Sequence, residues 1–198
     1  MNDQFYAKDG QFYLNGKPQF IQAGEFHYFR TSEDQWENRL NLLKQAGFNA
    51  VASYIPWRWH QVEEGTSDFD GHSHPMRNLA GFLDLAASMG LYIIARPGPY
   101  IMAETTHEGI PDWVFTHYPQ VAFISQDGKP QNIVSYLHPQ FLACVHQWYQ
   151  AVFQVLAPRQ ITRGGKIIMA QLDNEMGMIA WVRNIIDINP DTIRSMAA

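Results

Sequence analysis

The chain has 198 residues, a formal net charge of −5 and 46% hydrophobic residues, which is typical of one globular unit and excludes a disordered tail. Basic residues are too few and too scattered for a nucleic-acid-binding face. The single cysteine, Cys144, excludes an intramolecular disulfide, and no Cys/His pair has zinc-ligand spacing.

The first predicted elements are β-strands. An Asp-Gly turn at residues 9–10 and an Asn-Gly turn at 15–16 bracket an alternating segment at residues 11–14, which is typical of a hairpin. We therefore predict that residues 1–16 form a small N-terminal hairpin and that residues 18–23 are the first strand of a second, larger sheet.

Amphipathic helices and apolar strands then alternate along the chain. The first helix is predicted to start at Ser32, a residue type that favours N-caps, and to end at Gly47. Near-continuous apolar strands separated by such helices favour a parallel sheet covered by helices. In chain order the predicted segments are helix 32–46, strand 49–55, helix 79–89, strand 91–95, helix 141–156, strand 166–172 and the start of a helix at 179–188.

This order predicts an α/β fold, and specifically the first four or so units of a (β/α)8 TIM barrel. Closing such a barrel takes eight units and typically about 250 residues, so we expect residues 17–198 to be its first half. The alternative is an open doubly wound sheet. It is disfavoured because residues 23–27, after the first strand, lack the Gly-rich phosphate turn of those folds.

Polar and aromatic side chains occur where the predicted strands end. In a barrel these positions face the active-site mouth, so Glu175, just past strand 166–172, is a candidate catalyst; the alternative is a solvated residue that merely ends a strand. Aromatic rings stack on sugars while amides and carboxylates bind hydroxyl groups, so the set favours an uncharged, polyhydroxylated ligand. Its members are Glu25, His27, Arg30, Tyr54, Pro56, Trp57, Trp59, Arg96, Tyr100, Glu104, Asn174 and Glu175.

Several of these side chains also have structural interpretations. We expect Arg96 to pair with neighbouring carboxylates, with binding of an anion as the alternative. His27 is expected to be a hydrogen-bonded structural histidine, with orientation of a carboxylate as the alternative. Trp57 and Trp59 are expected to pack over the barrel end, with a sugar platform as the alternative, whereas Tyr100 fits a substrate contact and a loop support equally well.

Four segments carry a family resemblance: Gly24-Glu25-Phe26-His27-Tyr28-Phe29-Arg30, Tyr54-Ile55-Pro56-Trp57, the stretch 96–104 and Gln171-Leu172-Asp173-Asn174-Glu175-Met176-Gly177. In order and spacing they resemble the glycoside hydrolase family 35 β-galactosidases. The string Arg-Pro-Gly-Pro-Tyr-Ile followed by Ala-Glu is highly specific, and the resemblance spans nearly the whole chain. It implies a retaining exo-glycosidase that hydrolyses terminal β-galactosyl residues of a β-galactoside or related oligosaccharide, without a cofactor or a metal.

The resemblance also implies roles for individual residues. Glu175 falls on the family's general acid/base. Asn174 beside it would hydrogen-bond the sugar 2-hydroxyl, a contact that strengthens as the transition state forms. Tyr54, Ala103 and Glu104 fall on positions that line the galactose pocket.

The chain departs from the family pattern at two positions. Met176 stands in place of the usual Tyr, and Met102 stands in place of Cys or Asn, which removes one polar contact to the sugar. The resemblance places the nucleophile on a Glu at the end of the seventh strand, and no residue of this chain matches it. We therefore expect the 198-residue chain alone to be inactive.

Non-catalytic interpretations remain open beside the enzyme. They are a carbohydrate-binding or regulatory barrel protein that lacks the nucleophile, and half-barrels that self-associate through their open sheet edges. No apolar run approaches the ~20 residues of a membrane span, and the N-terminus lacks a signal-peptide layout. We expect no membrane partner and a cytoplasmic protein, or a secreted one if a leader was removed.

Overall fold

The computed structural model describes residues 3–197, which divide into two compact units. The first unit comprises the residues up to Ile55, Asp68–Pro97 and Val152–Gln171, and the second comprises Pro56–Ser67, Gly98–Ala151 and the residues from Leu172 onward. The strands are β1 Phe5–Lys8, β2 Gln11–Leu14, β3 Lys17–Gln19, β4 Ala23–Glu25, β5 Ala50–Tyr54, β6 Tyr92–Gly98, β7 Ala122–Ile124, β8 Pro130–Val134 and β9 Ile167–Leu172. The α-helices are α1 Trp36–Gln45, α2 Trp57–His60, α3 Leu79–Ser88, α4 Asp112–His117, α5 Pro139–Leu156, α6 Met178–Arg183 and α7 Pro190–Met196.

An antiparallel sheet forms the N-terminal part of the first unit. Strands β1, β2 and β3 pair consecutively, with Tyr13 opposite both Tyr6 and Pro18, so the predicted hairpin is present and a third strand extends it. The strand predicted at residues 18–23 is wrong in its bounds, because the turn at Asn15 and Gly16 (φ 52° and 77°) folds β3 back onto β2. The division of the chain into residues 1–16 and 17–198 stays a prediction.

A parallel sheet forms the centre of the first unit. Its strand order is β4-β5-β6-β9. Strand β5 pairs in parallel with both β4 and β6, which places Ala52 opposite Glu25 and Ile94. The predicted parallel α/β sheet is confirmed for β4, β5 and β6, with β9 next to β6 in the same sheet, whereas closure into an eight-stranded barrel stays a prediction.

Helices α1 and α3 share an aromatic core with the turn after β4. Helix α1 begins at Trp36, later than predicted, because Glu33–Gln35 form a 3-10 turn first. The Trp36 ring meets Phe82 of α3 edge to face at 5.5 Å between centroids, and Tyr28 stacks on Phe82 at 4.8 Å. All three side chains are almost fully buried, and such aromatic pairs add about 0.5–1.5 kcal/mol beyond their area burial.

Gly24 allows α1 to approach strand β4 closely. A Cβ atom built at Gly24 would lie 2.4 Å from Leu43 Cδ2 on the helix. A larger residue at this position would require the Leu43 side chain, the strand or the helix to shift.

Helix α4 and the antiparallel pair β7 and β8 of the second unit lie between residues 96 and 141, where the sequence predicted no helix or strand. These elements have only three to six residues, which is too short for hydrophobic periodicity to reveal them. Helix α5, by contrast, has a clear apolar stripe and was predicted to within two residues.

The helix predicted at residues 179–188 is wrong in its length. Helix α6 ends at Arg183 because Asn184 adopts a left-handed φ of 52°, and its amide donates to the Trp181 carbonyl. Asn189 then caps α7 by accepting from the backbone amides of Asp191 and Thr192. Among the helices of residues 3–197, none is both long enough and apolar enough to cross a bilayer.

Three tryptophans form the core of the second unit. Trp57 is fully buried, and its ring lies 5.7 Å from Trp113 and 6.0 Å from Trp148 between centroids. Its Nε1 donates to Gln61 Oε1 at 2.6 Å. The expected packing role of Trp57 is therefore confirmed, and a fully buried ring offers no sugar platform.

Candidate active site

Tyr54, at the end of β5, lies in a cluster of charged and aromatic side chains in the first unit. It is 8% exposed, and its hydroxyl accepts a hydrogen bond from Arg96 Nη2 at 2.6 Å. The Arg96 Cζ atom is 3.8 Å from the Tyr54 ring centroid, and the His27 ring stacks on Tyr54 at 5.2 Å between centroids. A cation and an imidazole thus fix the orientation of this phenol.

Glu25 belongs to the same cluster. Arg96 Nη1 donates to Glu25 Oε1, and His27 Nε2 lies 3.7 Å from that oxygen. The Arg96 side chain is 14% exposed against 45% for Glu25, so the guanidinium is largely withdrawn from water while the carboxylate reaches it. The expectation that Arg96 pairs with a carboxylate is confirmed, and the pairing offsets the cost of burying its charge.

In the second unit, Asp173 connects the end of β9 to the loop after β6. Its backbone amide donates to the Gly98 carbonyl at 2.9 Å, and its Oδ1 accepts from the Tyr100 amide at 2.9 Å. The Tyr136 hydroxyl donates to its other carboxylate oxygen. Burial raises the pKa of Asp173, although the hydrogen bond from the Tyr100 amide opposes the shift.

Asn174 and Glu175 follow directly. Asn174 Nδ2 donates to the Ile101 carbonyl at 3.2 Å, which is a further contact between the end of β9 and the loop after β6. Glu175 is exposed. The pair therefore combines an amide held by backbone contacts with a carboxylate that solvent and ligands can reach.

Ala103 and Glu104 lie in a closed loop after β6. The amides of Ile101 and Met102 both donate to the Glu108 carbonyl, at 2.9 and 3.3 Å. Glu104 is exposed and Ala103 is half-buried. The loop is thus held by its own backbone while the Glu104 carboxylate remains accessible.

Left-handed backbone conformations concentrate in these two segments. Of the ten non-glycine residues with positive φ between residues 3 and 197, seven lie at 102–108 and 173–175. They include Ala103 at 50° and Glu175 at 56°. Each such residue costs on the order of 1 kcal/mol or more, and such conformations cluster at active sites. The backbone thus points to the same segments as the sequence motifs.

The five predicted site residues fall into two groups. Tyr54 lies in the first unit, whereas the second unit holds Ala103, Glu104, Asn174 and Glu175. The Asn174–Ile101 hydrogen bond joins the two segments of the second group. Among residues 3–197 no three His, Cys, Asp or Glu side chains are arranged to hold a metal ion.

The motif segments and their contacts agree with a comparison against protein families, in which the model of glycosyl hydrolases family 35 matches residues 11–197. The chain belongs to this family.

Curated relatives of this family-35 chain have several activities in their names. A β-1,2-glucosyltransferase of Ignavibacterium album is 41% identical over 92% of the chain, and an exo-β-D-glucosaminidase of Thermococcus kodakarensis is 42% identical over 83%. A β-galactosidase of Mus musculus is 34% identical over 87%. The chain spans about a quarter of the length of these relatives, at 26%, 22% and 24%.

Met102 has a packing role in this family-35 chain. Its side chain packs against the buried Phe123 and Ile133, next to the loop that carries Ala103 and Glu104. The sequence indicated only a lost polar contact at this position. The structure adds that the methionine anchors the loop to the apolar core of the second unit.

Two residues of the site escaped the sequence interpretation. Asp173 stands inside the family-35 motif, and a carboxylate directly after an apolar strand was a usable signal. Tyr136 lies 37 positions before its partner Asp173. No spacing rule connects them, so only the fold reveals their contact.

Proposed function

We propose that this chain provides the acid/base part of a retaining, exo-acting β-glycosidase of family 35, with Glu175 as the general acid/base. The observation that carries the proposal is the Asn174-Glu175 pair, which follows β9 with a left-handed Glu175 and with Asn174 bonded to Ile101. The amide is held in place while the carboxylate stays exposed. A proton donor must come within hydrogen-bond distance of the glycosidic oxygen, which an accessible carboxylate can do.

The reaction has two steps. A second carboxylate attacks the anomeric carbon while Glu175 protonates the departing oxygen, which leaves a covalent glycosyl-enzyme. Glu175 then removes a proton from the incoming water as that water displaces the carboxylate. The two carboxyl groups of a retaining enzyme lie ~5 Å apart. By the family resemblance we expect the nucleophile at the end of a seventh strand, and we assign it to a part of the natural polypeptide outside these 198 residues.

The contacts of Asp173 support the assignment of Glu175. Asp173 is anchored by Tyr100 and Tyr136, so its carboxylate is engaged in structure and poorly placed for catalysis. It fixes the backbone directly before the pair. Asn174 is assigned to the sugar 2-hydroxyl, and Ala103 and Glu104 to the sugar pocket. We also propose that Tyr54 contacts the sugar; this assignment stands by itself, because Tyr54 lies in the first unit and the other four residues lie in the second.

For the sugar, the first candidate is a terminal β-galactosyl residue. The second is a β-glucosyl residue, which the 41% identity to a β-1,2-glucosyltransferase over 92% of the chain favours. A 2-amino sugar would be favoured by the 42% identity to an exo-β-D-glucosaminidase over 83% of the chain. We place it third because Asn174 offers a neutral amide, whereas the ammonium group of glucosamine is better matched by a carboxylate. The glycosyl-enzyme reacts with water in a hydrolase and with a sugar hydroxyl in a transferase.

The test uses the full natural polypeptide that contains this chain. It is incubated with 4-nitrophenyl β-galactoside, β-glucoside and β-glucosaminide, with and without added oligosaccharide acceptors, and proton NMR follows the first sugar released. The proposal predicts turnover of the galactoside or the glucoside with the β-anomer formed first. An α-anomer as first product, or turnover of the glucosaminide alone, would contradict it.

A further inference from the structure

An apolar cavity in the second unit is lined in part by Met176 and Gly177, the two residues that follow Glu175. Its volume is about 240 Å³, and its walls include the rings of Tyr100, Tyr136 and Phe123 together with Met176 and Ala180. An apolar cavity of ~150 Å³ is large enough to bind benzene. This one therefore has room for a substituted aromatic ring or a short branched alkyl group.

One segment that carries proposed sugar contacts lines the cavity, and the other packs against its wall. Met176, which directly follows Glu175, forms part of its wall. Tyr136, another wall residue, donates to Asp173 on the other side of the pair. Met102, which precedes Ala103, packs against the wall residue Phe123.

The polar groups of the cavity are already engaged. Asp187 accepts from the amides of Ile124 and Asn189 at 3.2 and 3.0 Å, and the Ser135 hydroxyl donates to its other oxygen. The Tyr136 hydroxyl donates to Asp173. A sugar ring would bring hydroxyl groups that need partners, and burying them unpaired is costly. The walls favour an apolar guest.

Met176 lies at the edge of the cavity. Its side chain is 50% exposed although it forms part of the wall. Methionine is flexible and polarisable, and it packs well against aromatic rings. Its side chain therefore suits contact with a bound ring.

We propose that this cavity binds the leaving group of the substrate, and that the preferred leaving groups are aryl or branched alkyl aglycones. The proposal rests on the proposed function, because the general acid protonates the glycosidic oxygen and the leaving group therefore departs next to Glu175. The residue after the acid lines the cavity, so the aglycone and the proton donor share one segment of the chain.

Calorimetric titration of the full natural polypeptide tests the site without turnover. The probes are phenyl and methyl 1-thio-β-galactosides, the corresponding thioglucosides, and 4-nitrophenol as a competitor. We expect the phenyl ligand of the recognised sugar to bind at least tenfold more tightly than its methyl counterpart, and 4-nitrophenol to weaken phenyl binding. Equal binding of the phenyl and methyl ligands, or no binding of any probe, overturns the proposal. Either result is also expected if another segment of the polypeptide or a second copy fills the cavity, so that case counts against the proposal as well.

Two variants of the same helix sharpen the test. Ala180→Phe places a ring in the cavity and is expected to remove the preference for the phenyl ligand. Val182→Phe is the matched control, because Val182 is 67% exposed, and it should keep the preference. If Ala180→Phe does not fold, the ligand comparison on the unmodified protein still decides. If the enzyme turns over glycosides but binds phenyl and methyl ligands equally, only this inference is wrong. If it binds the phenyl ligand more tightly but turns over no glycoside, the proposed function is wrong.

Discussion

Arg96 packs on the ring of Tyr54 and also donates to its hydroxyl, with Cζ 3.8 Å from the ring centroid and Nη2 2.6 Å from the oxygen. The same guanidinium pairs with Glu25. One largely buried cation thus fixes two side chains at the ends of neighbouring strands. Lysine has no planar fork and cannot make both contacts in this geometry.

Replacing Arg96 by methionine is expected to lower the free energy of unfolding by about 1–3 kcal/mol, because the buried Tyr54 hydroxyl loses a charged donor. The free energy of unfolding of Arg96→Lys should lie between those of the parent and of Arg96→Met. Urea unfolding measures the change. Arg39→Met, at an exposed position of α1, is the matched control and should stay within about 0.5 kcal/mol. Equal effects at both positions would show that the cluster contributes nothing to stability.

We expect Asp173 to make the stability of the protein fall as the pH rises, which is the reverse of the usual effect of a carboxylate. Burial raises its folded pKa above the ordinary 3.8, so its contribution is fully present below that value and is lost as the pH rises through the folded pKa. Asp173→Asn escapes this loss. Its stability relative to the parent should therefore increase with pH, as measured by thermal unfolding between pH 3 and 7.

Asp127 provides the control for that experiment. The Ser125 hydroxyl and Lys129 lower the pKa of Asp127 to about 2, so its contribution is present above pH 3.8 and is lost as the pH falls through the folded value. Asp127→Asn should lose stability relative to the parent as the pH rises. If both variants follow the same trend, the account of Asp173 is wrong.

We expect the Glu64 carboxylate to account for part of the loss of thermal stability of the second unit at low pH. Hydrogen bonds from Tyr118 at 2.6 Å and His117 at 2.8 Å lower its pKa below the ordinary 4.5. This contribution is present above pH 4.5 and is lost as the pH falls through the folded pKa. Tyr118→Phe should make the acid limb of thermal stability shallower. The exposed Tyr6, replaced by phenylalanine, should leave that limb unchanged; a shift of equal size there would contradict the assignment.

Trp57 tests the core of the second unit. Its ring is fully buried between elements that carry Trp113 and Trp148. Trp57→Ala is expected to cost about 3–5 kcal/mol in the free energy of unfolding. Trp181 is 78% exposed, so Trp181→Ala should change stability by less than about 0.5 kcal/mol. Denaturant titration compares the two, and a small effect at Trp57 would contradict the packing described.

Long elements with a strong period were predictable from the sequence. The predicted bounds lie close to the observed ones for the amphipathic helices α3 and α5 and for the near-continuously apolar strands β5 and β6. Strand β3 was misplaced because Pro18 and Gln19 have no periodicity that distinguishes a third antiparallel strand from a first parallel one. Helix α6 was overextended because a single left-handed Asn184 ends an otherwise apolar stretch.

The site divides in the same way. Asn174 and Glu175 were visible because an apolar strand leads directly into them. The Tyr136–Asp173 contact and the left-handed backbone at 102–104 were not visible, because they depend on where the fold places distant or conformationally strained residues. The sequence predicted that Arg96 pairs with a carboxylate, whereas its contact with the Tyr54 ring was not predictable.

The most direct test of the central claim compares leaving groups in Glu175→Gln, within the full natural polypeptide. Without a proton donor, release of an alkyl or sugar leaving group should fall by about 10²–10⁴-fold, whereas 2,4-dinitrophenolate, which needs no proton, should still be released in a burst as the glycosyl-enzyme forms. Glu37→Gln, at an exposed position of α1, should behave as the parent. Equal losses for both leaving groups, or no loss for either, would contradict the assignment of Glu175 as the general acid/base.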